Sequence, residues 1–318
     1  MAAVKAEGYV GRVKIVLTGC AGMLGRPLAE LLSAKAEVTG IVLTMPEEKP
    51  KGVSRLISGD VADPVWADEI RRINPDWVIH SAAMTDVDGC EKNPDEALRV
   101  NGKATENWAK ICRDLDKPLL YVSTDYVFDG SKQGAYEETD PTHPVSAYGA
   151  SKLAGETAAL ALVPKVLVAR TAWTYGAGGK NFIDQILARA TQNLELRVVD
   201  DQVGSPSYTN DVADGIVRLM GAFEQNGFSP EARGVYHIVN NGSCSRWELA
   251  VKILELTGIR MPVQKIGSAE IQRPAKRPAN SVLSTERFNR LTGQALRPWQ
   301  EALYSYLHKT RRVGACVS

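Results

Sequence analysis

In the first half of the chain, short apolar runs alternate with longer segments whose apolar residues recur at helical spacing. Runs such as Val13–Leu17 (VKIVL) are almost wholly apolar, as strands covered on both faces of a parallel sheet are. Strands are predicted at residues 13–17, 38–43, 55–58, 77–80, 119–123 and 166–169. Helices are predicted between them, at residues 22–34, from Pro64 after Asp63 as N-cap, at 94–112 and at 148–160. The alternation predicts an α/β fold built on a doubly wound parallel sheet.

After about Tyr175 this rhythm loosens, and turn-rich stretches separate the apolar segments. Helices are predicted there at residues 182–190, 212–223, 247–256 and 298–308. No linker of disordered composition divides the two halves. We therefore expect a doubly wound domain over residues 11–175. Residues 176–318 are expected to form mainly a smaller C-terminal substrate-binding lobe, with some segments returning to the first domain and a binding cleft between the two.

The composition is that of a globular protein, with 318 residues, 44% of them apolar and 24% charged, and a formal net charge of +1. This balance of charge gives no indication of a nucleic-acid or membrane partner. No apolar run approaches the roughly 18 residues of a membrane helix, and the N-terminus lacks the apolar stretch of a secretory signal. The five cysteines form no CxxC pair, which favours reduced thiols, a cytoplasmic location and the absence of a zinc site.

Glycines recur immediately after the first predicted strand, as Gly19, Gly22 and Gly25 in GCAGMLG. Small residues at such a turn let the backbone approach a pyrophosphate, and the N-terminus of the following helix supplies N–H groups to bind it. Glycines can also simply close a tight turn, but their place inside a strand–helix–strand unit predicts a Rossmann-type NAD(P) site. Asp60 and Val61 follow the third strand, where a carboxylate can bind the adenine amino group; a turn aspartate is the alternative.

The choice of cofactor depends on the end of the second predicted strand. An acidic residue there would hold the 2′-hydroxyl of NAD and repel the 2′-phosphate of NADP. The strand ends instead in Leu43-Thr44-Met45. The missing carboxylate favours NADPH, while NADH stays open because Glu47 and Glu48 follow closely enough to reach back.

A tyrosine and a lysine stand one helical turn apart in the predicted helix 148–160, as Tyr148 and Lys152 in YGASK. The lysine ammonium would lower the pKa of the phenol toward the range useful for acid–base catalysis, and it could also hold the nicotinamide ribose. Thr124 ends the fifth strand, at the edge where open α/β sheets bind ligands, and could polarise a substrate carbonyl. Together with the glycine motif, these residues predict a carbonyl reductase in which Tyr148 donates the proton.

With these residues the chain resembles the extended short-chain dehydrogenases and, among them, the dTDP-4-dehydrorhamnose reductases. The resemblance covers roughly Val13 to Tyr306 and is carried by GCAGMLG, YVSTDYVFDG, PVSAYGASKLAGE, ARTAWTYGAGGKNF, VVDDQVGSPSY and RPANSVL. It implies a nucleotide-sugar substrate and reduction of the 4-keto group of a nucleotide-linked 6-deoxyhexose. The implied reaction is above all that of dTDP-4-dehydro-L-rhamnose to dTDP-L-rhamnose.

The resemblance also implies roles for particular residues. Tyr148, Lys152 and Thr124 would form the catalytic centre, and Thr124, Asp125 and Trp173 would contact the sugar nucleotide. Cofactor contacts are implied at Gly22, Met23, Leu24, Asp60, Val61, Ala83, Met84, Thr85, Tyr148 and Lys152, to which the glycine spacing adds Gly19 and Gly25.

Three positions need separate comment. Family members with a metal at the dimer interface carry an acidic residue early in the first helix, whereas this chain has Arg26-Pro27. We therefore expect no such metal, and whether the chain forms a homodimer stays open. His80 stands where the family more often has asparagine, and a lone histidine at a strand end is expected to be structural. Arg277, in RPANS, would bind the substrate diphosphate or merely shape its loop.

Other functions stay open at this point. A sister ketoreductase would act on another dTDP-deoxysugar. The regulatory beta subunit of methionine adenosyltransferase is similar to this family and keeps the tyrosine–lysine pair but acts by binding a partner; Trp173 and the segment Met84–Asp88 match the reductases instead. Epimerases and dehydratases also use the pair, and dehydratases tend to carry an acidic pair where this chain has only Asp125 before Tyr126.

Overall fold

The structure is a computed structural model that describes residues 12–310 and residue 312. Cys316 and the predicted outer boundaries at residues 11 and 318 lie outside the described residues. The strands are β1 Val13–Thr18, β2 Ala36–Val42, β3 Val53–Ser58, β4 Trp77–His80, β5 Leu119–Thr124, β6 Val166–Thr171, β7 Thr174–Tyr175, β8 Leu196–Val199, β9 Val203–Gly204, β10 Ser207–Tyr208, β11 Gly234–His237, β12 Cys244–Ser245 and β13 Val263–Ile266.

The α-helices lie between these strands and at the C-terminal end. They are α1 Gly25–Leu32, α2 Trp66–Ile73, α3 Val87–Lys92, α4 Pro94–Ala97, α5 Ala104–Asp114, α6 Ala147–Leu162, α7 Phe182–Thr191, α8 Thr209–Gln225, α9 Arg246–Thr257, α10 Glu286–Thr292 and α11 Trp299–Lys309. A π-helical segment, Leu98–Lys103, joins α4 to α5. No helix in this described part of the chain is long and apolar enough to cross a membrane.

The central sheet has seven strands in the order β11-β6-β5-β4-β1-β2-β3, and every neighbouring pair is parallel. The predicted Rossmann-type, doubly wound parallel sheet is confirmed. The chain winds outward in one direction from β1 to β3 and in the other from β4 to β11, so a crevice opens at the carboxyl ends of β1 and β4. Strand β11 was not predicted, because it begins with glycine, ends with histidine and has only two apolar residues between them (GVYH).

Part of the second half of the chain returns to this sheet. Strand β11 pairs with β6, and α8 packs against α1 on one face. Helices α7, α9 and α11 enclose an apolar core of their own, beside the paired short strands β8 and β13. Two further cores lie on the opposite faces of the large sheet, under α1 and α8 and under α2, α5 and α6. Where the dinucleotide domain ends and the substrate lobe begins stays a prediction.

The predicted long helix 94–112 is interrupted by the π-helical segment. Within it, Asn101 is fully buried and Gly102 faces α6, where an added Cβ would lie 3.2 Å from Cβ of Ala154. The wider turn therefore brings the helix backbone close to α6. Such insertions are frequent at functional sites, and this one places Asn101 beside the predicted catalytic helix.

Candidate active site

A cleft of about 750 Å³ runs along the carboxyl ends of the central strands. Each predicted site residue except Arg277 lines it, although the predicted positions are spread from residue 19 to residue 173. The residues brought together are Gly19, Gly22, Met23, Leu24, Gly25, Asp60, Val61, Ala83, Met84, Thr85, Thr124, Asp125, Tyr148, Lys152 and Trp173. Their roles in binding and catalysis stay predictions.

The glycine turn at one end of the cleft is packed too closely for side chains. Gly19 has φ +70°, and an added Cβ would lie 2.9 Å from the backbone nitrogen of Ala82. A Cβ on Gly25 would lie 2.1 Å from the carbonyl oxygen of Gly19. Helix α1 begins directly behind this turn with no acidic residue in its first turn. The turn and the helix N-terminus therefore fit a dinucleotide pyrophosphate, whose negative charge they would meet with backbone N–H groups.

The adenosine end of this predicted cofactor site carries an ion-pair cluster. Asp60 accepts a hydrogen bond from the backbone N–H of Ala62 at 2.9 Å, which is the turn role considered above. Its other oxygen accepts one from Nη2 of Arg99 at 2.8 Å, and Arg99 also pairs with Glu96. Partial burial would raise the pKa of the Asp60 carboxyl, but these hydrogen bonds and the charge of Arg99 together outweigh it and lower the pKa, so the group is ionised at neutral pH. Thr44 lines the same end, where no carboxylate of β2 opposes a 2′-phosphate.

Asn101 holds two walls of the cleft together. Its amide oxygen accepts from the backbone N–H of Met84 at 2.8 Å, and its Nδ2 donates to the Met84 carbonyl at 3.0 Å. The same Nδ2 donates to the hydroxyl of Ser151 at 2.9 Å, which lies between Tyr148 and Lys152 on α6. The loop after β4 and helix α6 are thereby fixed to each other. Sequence reasoning missed Asn101, although an Asn-Gly pair inside a predicted helix is a signal of special geometry.

Helix α6 brings Tyr148 to the cleft because its N-terminus approaches the turn after β5. Ser146 caps the helix by accepting from the backbone N–H of Gly149 at 3.2 Å. A Cβ on Gly149 would lie 2.2 Å from the carbonyl oxygen of Tyr126, so only glycine permits this approach. The rings of Tyr126 and Tyr148 meet edge to face at 5.6 Å. Tyr148 is thus held next to the end of β5.

Burial sets the protonation of both catalytic candidates on α6. Burial raises the pKa of Tyr148, against a smaller lowering by the hydroxyl of Thr124. The expected lowering of this pKa by Lys152 is not found, because burial dominates and the hydroxyl of Thr124 is the group that lowers it. Burial also lowers the pKa of Lys152 to about 7, and its ammonium donates to the carbonyl oxygen of Val122 at 2.7 Å. At neutral pH Tyr148 thus carries the proton that a reduction must deliver.

The end of β5 carries a buried threonine–aspartate pair. The hydroxyl of Thr124 donates to Oδ1 of Asp125 at 3.0 Å and accepts from the backbone N–H of Tyr126 at 3.2 Å. Because its proton is directed at Asp125, Thr124 must turn before it can polarise a carbonyl. Burial raises the pKa of Asp125 to about 6, against a smaller lowering by the hydroxyls of Ser281 and Thr124. Its buried Oδ2 accepts no hydrogen bond of normal length from a described residue. That oxygen is an acceptor available to a ligand in the cleft.

Trp173 lies at the opposite wall in a strained position. Its φ is +43°, a left-handed conformation that is unfavourable for a bulky side chain. The guanidinium carbon of Arg246 lies 3.5 Å from the Trp173 ring centroid. Gly204 leaves room for the same ring, since an added Cβ would lie 2.3 Å from Cε2 of Trp173. One face of Trp173, which is predicted to contact the sugar nucleotide, is thus covered in part by the guanidinium of Arg246.

Arg277 does not line the cleft. Its two Nη atoms donate to both carboxylate oxygens of Asp88, at 3.1 and 2.9 Å, and Nη1 also donates to the carbonyl of Ala275 at 2.8 Å. These contacts join the loop after β13 to α3. The structure thus shows Arg277 shaping its loop, and binding of a diphosphate by this residue stays a prediction.

His80, which the sequence analysis singled out, and Cys20 in the glycine turn are both structural. His80 is fully buried, its Nδ1 lies 2.9 Å from the Thr18 hydroxyl, and its ring stacks on Trp108. Burial lowers the pKa of His80 to about 3, so the ring is neutral. Cys20 in the glycine turn is buried with its pKa raised to about 11, and it packs against Gly40. Neither side chain has the exposure or the charge that a reactive group would need.

Three of the cleft residues that sequence reasoning missed are cationic. Arg246 and Lys180 come from the second half of the chain, and Arg99 comes from the π-helical segment. A lone arginine or lysine in an amphipathic segment reads as a solvated surface residue, so no local signal distinguishes these three. No group of three or more His, Cys, Asp or Glu residues in the described part of the chain could hold a metal ion.

Comparison with known proteins gives a family. The chain matches the model of the RmlD substrate binding domain over residues 13–312. It is 35% identical to the spore coat polysaccharide biosynthesis protein SpsK of Bacillus subtilis, over 95% of this chain and 99% of that protein. It is 38% identical to the dTDP-4-dehydrorhamnose reductase of Mycolicibacterium smegmatis, over 91% of this chain and 84% of that protein.

A solved structure agrees with these relatives. The dTDP-4-dehydrorhamnose reductase of Bacillus anthracis in complex with NADP is 30% identical and superposes with a TM-score of 0.80, over 94% of this chain and 100% of that one. The resemblance predicted from GCAGMLG, STDYVFDG and YGASK is therefore confirmed. The chain belongs to the RmlD substrate binding domain family, together with the dTDP-4-dehydrorhamnose reductases.

Proposed function

We propose that this protein reduces the 4-keto group of a nucleotide-linked 6-deoxyhexose, converting dTDP-4-dehydro-L-rhamnose to dTDP-L-rhamnose. The observation that carries the proposal is the cleft itself. It joins a glycine turn suited to a pyrophosphate with Tyr148, Lys152 and Thr124 at the carboxyl ends of the same sheet. The reductase relatives at 38% identity support the choice of reaction.

NADPH, when bound, supplies a hydride to the keto carbon. The residues of this chain would supply the proton, stabilise the charge that develops and bind the sugar. Tyr148 would give its proton to the carbonyl oxygen, which becomes the new hydroxyl, and the raised pKa of the phenol keeps that proton in place at neutral pH. Lys152 would place a positive charge beneath the phenol as it becomes a phenolate. Asp125 would accept a hydrogen bond from the sugar.

NADPH is proposed over NADH from the residues at the adenosine end. The strand β2 ends without a carboxylate, and the solved Bacillus anthracis relative is in complex with NADP. A regulatory role similar to that of the methionine adenosyltransferase beta subunit lacks such support. The relatives reported above are named as reductases or as a polysaccharide biosynthesis protein.

The proposal is tested by following NADPH absorbance with dTDP-4-dehydro-L-rhamnose formed in situ. Oxidation of NADPH that depends on the sugar is expected, with a lower kcat/KM for NADH. Binding of NADPH without any turnover of this sugar would overturn the rhamnose assignment. A cytoplasmic location and a homodimer stay predictions.

The pH dependence of kcat/KM is expected to be bell-shaped. Lys152 has a pKa of about 7, so its ammonium is lost as the pH rises through that value. Asp125 has a pKa of about 6, so its carboxylate is lost as the pH falls through that value. Since both charged forms serve the reaction, kcat/KM should decline on either side of roughly pH 6–7. Initial rates in buffers of constant ionic strength measure this, and a profile without an acid limb would contradict the role of Asp125.

A further inference from the structure

Arg246 occupies an unusual position in the cleft. It is the first residue of α9, directly after Ser245, whose hydroxyl caps this helix by accepting from the backbone N–H of Glu248 at 3.1 Å. The preceding strand β12 pairs with β9, which ends in Gly204. Arg246 therefore extends from a rigid corner of the lobe into the cleft, over the ring of Trp173.

The guanidinium of Arg246 has no partner for its N–H groups. Among the described residues no carboxylate lies within ion-pair distance of it, and no acceptor receives a hydrogen bond from it; its contacts are with the rings of Trp173 at 3.5 Å and Phe182 at 5.1 Å. Burial is the main influence on its pKa and lowers it. The side chain is only partly buried and faces the open cleft, so a bound ligand would cover it. A ligand that supplies an oxygen acceptor avoids leaving the covered N–H groups unpaired.

Asp125, which lines the same cleft, is a hydrogen-bond acceptor that can complement the donor groups of Arg246. Asp125 interacts electrostatically with Arg246. The hydroxyls of Thr124 and Ser281 are close to its carboxylate, but its buried Oδ2 accepts no hydrogen bond of normal length from a described residue. A hydroxyl group can satisfy both, because it donates one hydrogen bond and accepts others. A diphosphate supplies only acceptors and would be repelled by Asp125. Asp125 directly follows Thr124 in the chain. Asp125 and Arg246 therefore lie on the side of the cleft where the reacting carbonyl would bind.

We propose that Arg246 is a substrate-recognition residue that donates to the oxygen of a sugar hydroxyl adjacent to the reacting carbonyl. This inference rests on the proposed function and narrows its substrate class. The site selects 4-keto-6-deoxyhexoses that keep the neighbouring 3-hydroxyl over 3,6-dideoxy sugars. Without that hydroxyl, the N–H groups of Arg246 and the carboxylate of Asp125 lose a hydrogen-bond partner in the complex with the sugar nucleotide.

The test compares two substrates in two proteins. Initial rates with dTDP-4-dehydro-L-rhamnose and with its 3-deoxy counterpart are measured for the parent protein and for Arg246→Met. The parent is expected to prefer the hydroxylated sugar by on the order of 10- to 100-fold in kcat/KM, the effect of leaving a buried polar group unpaired. Arg246→Met should lose most of that preference by losing activity on the hydroxylated sugar alone. Arg246→Lys, which keeps the charge but not the fork, should be intermediate.

Lys265→Met is the matched control. Lys265 also stacks on a tryptophan of this lobe, with Nζ 4.1 Å from the Trp247 ring centroid, but it lies outside the cleft. Lys265→Met should leave the preference for the hydroxylated sugar unchanged. Neither Lys265→Met nor Arg246→Met should alter the Kd of NADPH.

Two results would overturn the inference. One is an unchanged preference in Arg246→Met and Arg246→Lys. The other is an equal loss for both sugars, which would place Arg246 on a part of the substrate that they share. If the parent oxidises NADPH with neither sugar, the proposed reduction fails. The hydroxyl preference is then decided by calorimetric Kd values of the two sugar nucleotides in the presence of NADP⁺.

Discussion

Replacing Tyr148 by phenylalanine is expected to lower kcat by about 10²- to 10⁴-fold, the range that a positioned general acid contributes. The ring stays, so its edge-to-face contact with Tyr126 at 5.6 Å should keep the shape of the cleft. The hydroxyl that would protonate the carbonyl is removed. Single-turnover oxidation of NADPH under saturating sugar nucleotide measures the effect without interference from product release.

Binding measurements separate this loss from a structural one. The Kd of NADPH, followed by fluorescence, and the melting temperature of Tyr148→Phe should match those of the parent protein. A variant that turns over within about tenfold of the parent would assign the proton donor elsewhere. In that case the Thr124–Asp125 pair would be the next group to examine.

The second large effect is expected on stability, at the buried ion pair of Arg170 on β6 and Glu156 on α6. Their side chains are 4% and 1% exposed, and Nη2 of Arg170 donates to Oε2 of Glu156 at 2.7 Å. Arg170→Met removes the positive charge and leaves the carboxylate buried without a partner. The free energy of unfolding should fall by about 3–5 kcal/mol, as for other broken buried pairs. Urea unfolding curves of the variant and the parent give this difference.

Two further variants show whether the uncompensated charge is the cause. Adding Glu156→Gln to Arg170→Met removes the buried charge, so part of the lost stability should return. Arg197→Met breaks the exposed pair with Glu270, whose side chains are 46% and 50% exposed, and should cost at most about 1 kcal/mol. Equal destabilisation by Arg170→Met and Arg197→Met would contradict the argument from burial.

Much of the central sheet follows from local patterns in the sequence. Strands such as Trp77–His80 are short apolar runs, and their order is constrained by the right-handed crossovers of parallel sheets. The π-helical segment at Leu98–Lys103 and the strand β11 did not follow. The π-helical segment depends on how closely α6 approaches it, and β11 depends on pairing with β6. Both are tertiary contacts, which leave no periodic pattern in the local sequence.

The candidate site divides in the same way. Gly19, Thr124, Tyr148 and Lys152 belong to motifs with a chemical rationale, and all four line one cleft. Arg246 carries no such motif, because its importance arises from contact with Trp173, far away in sequence. The protonation of Tyr148 was misjudged for a related reason. Helical spacing shows which charges are neighbours, but the degree of burial, which dominates this pKa, appears only in the folded protein.

Transfer of deuterium tests the central claim most directly. The protein is supplied with NADPH that carries deuterium at the transferable position, together with dTDP-4-dehydro-L-rhamnose, and the sugar product is analysed by NMR. Deuterium on C4 of a product with the rhamnose configuration is the predicted result, because the hydride goes to the keto carbon while Tyr148 supplies the proton on oxygen. Two results would contradict the account. One is deuterium at another carbon of the product, and the other is an unlabelled sugar product with the deuterium still on the cofactor.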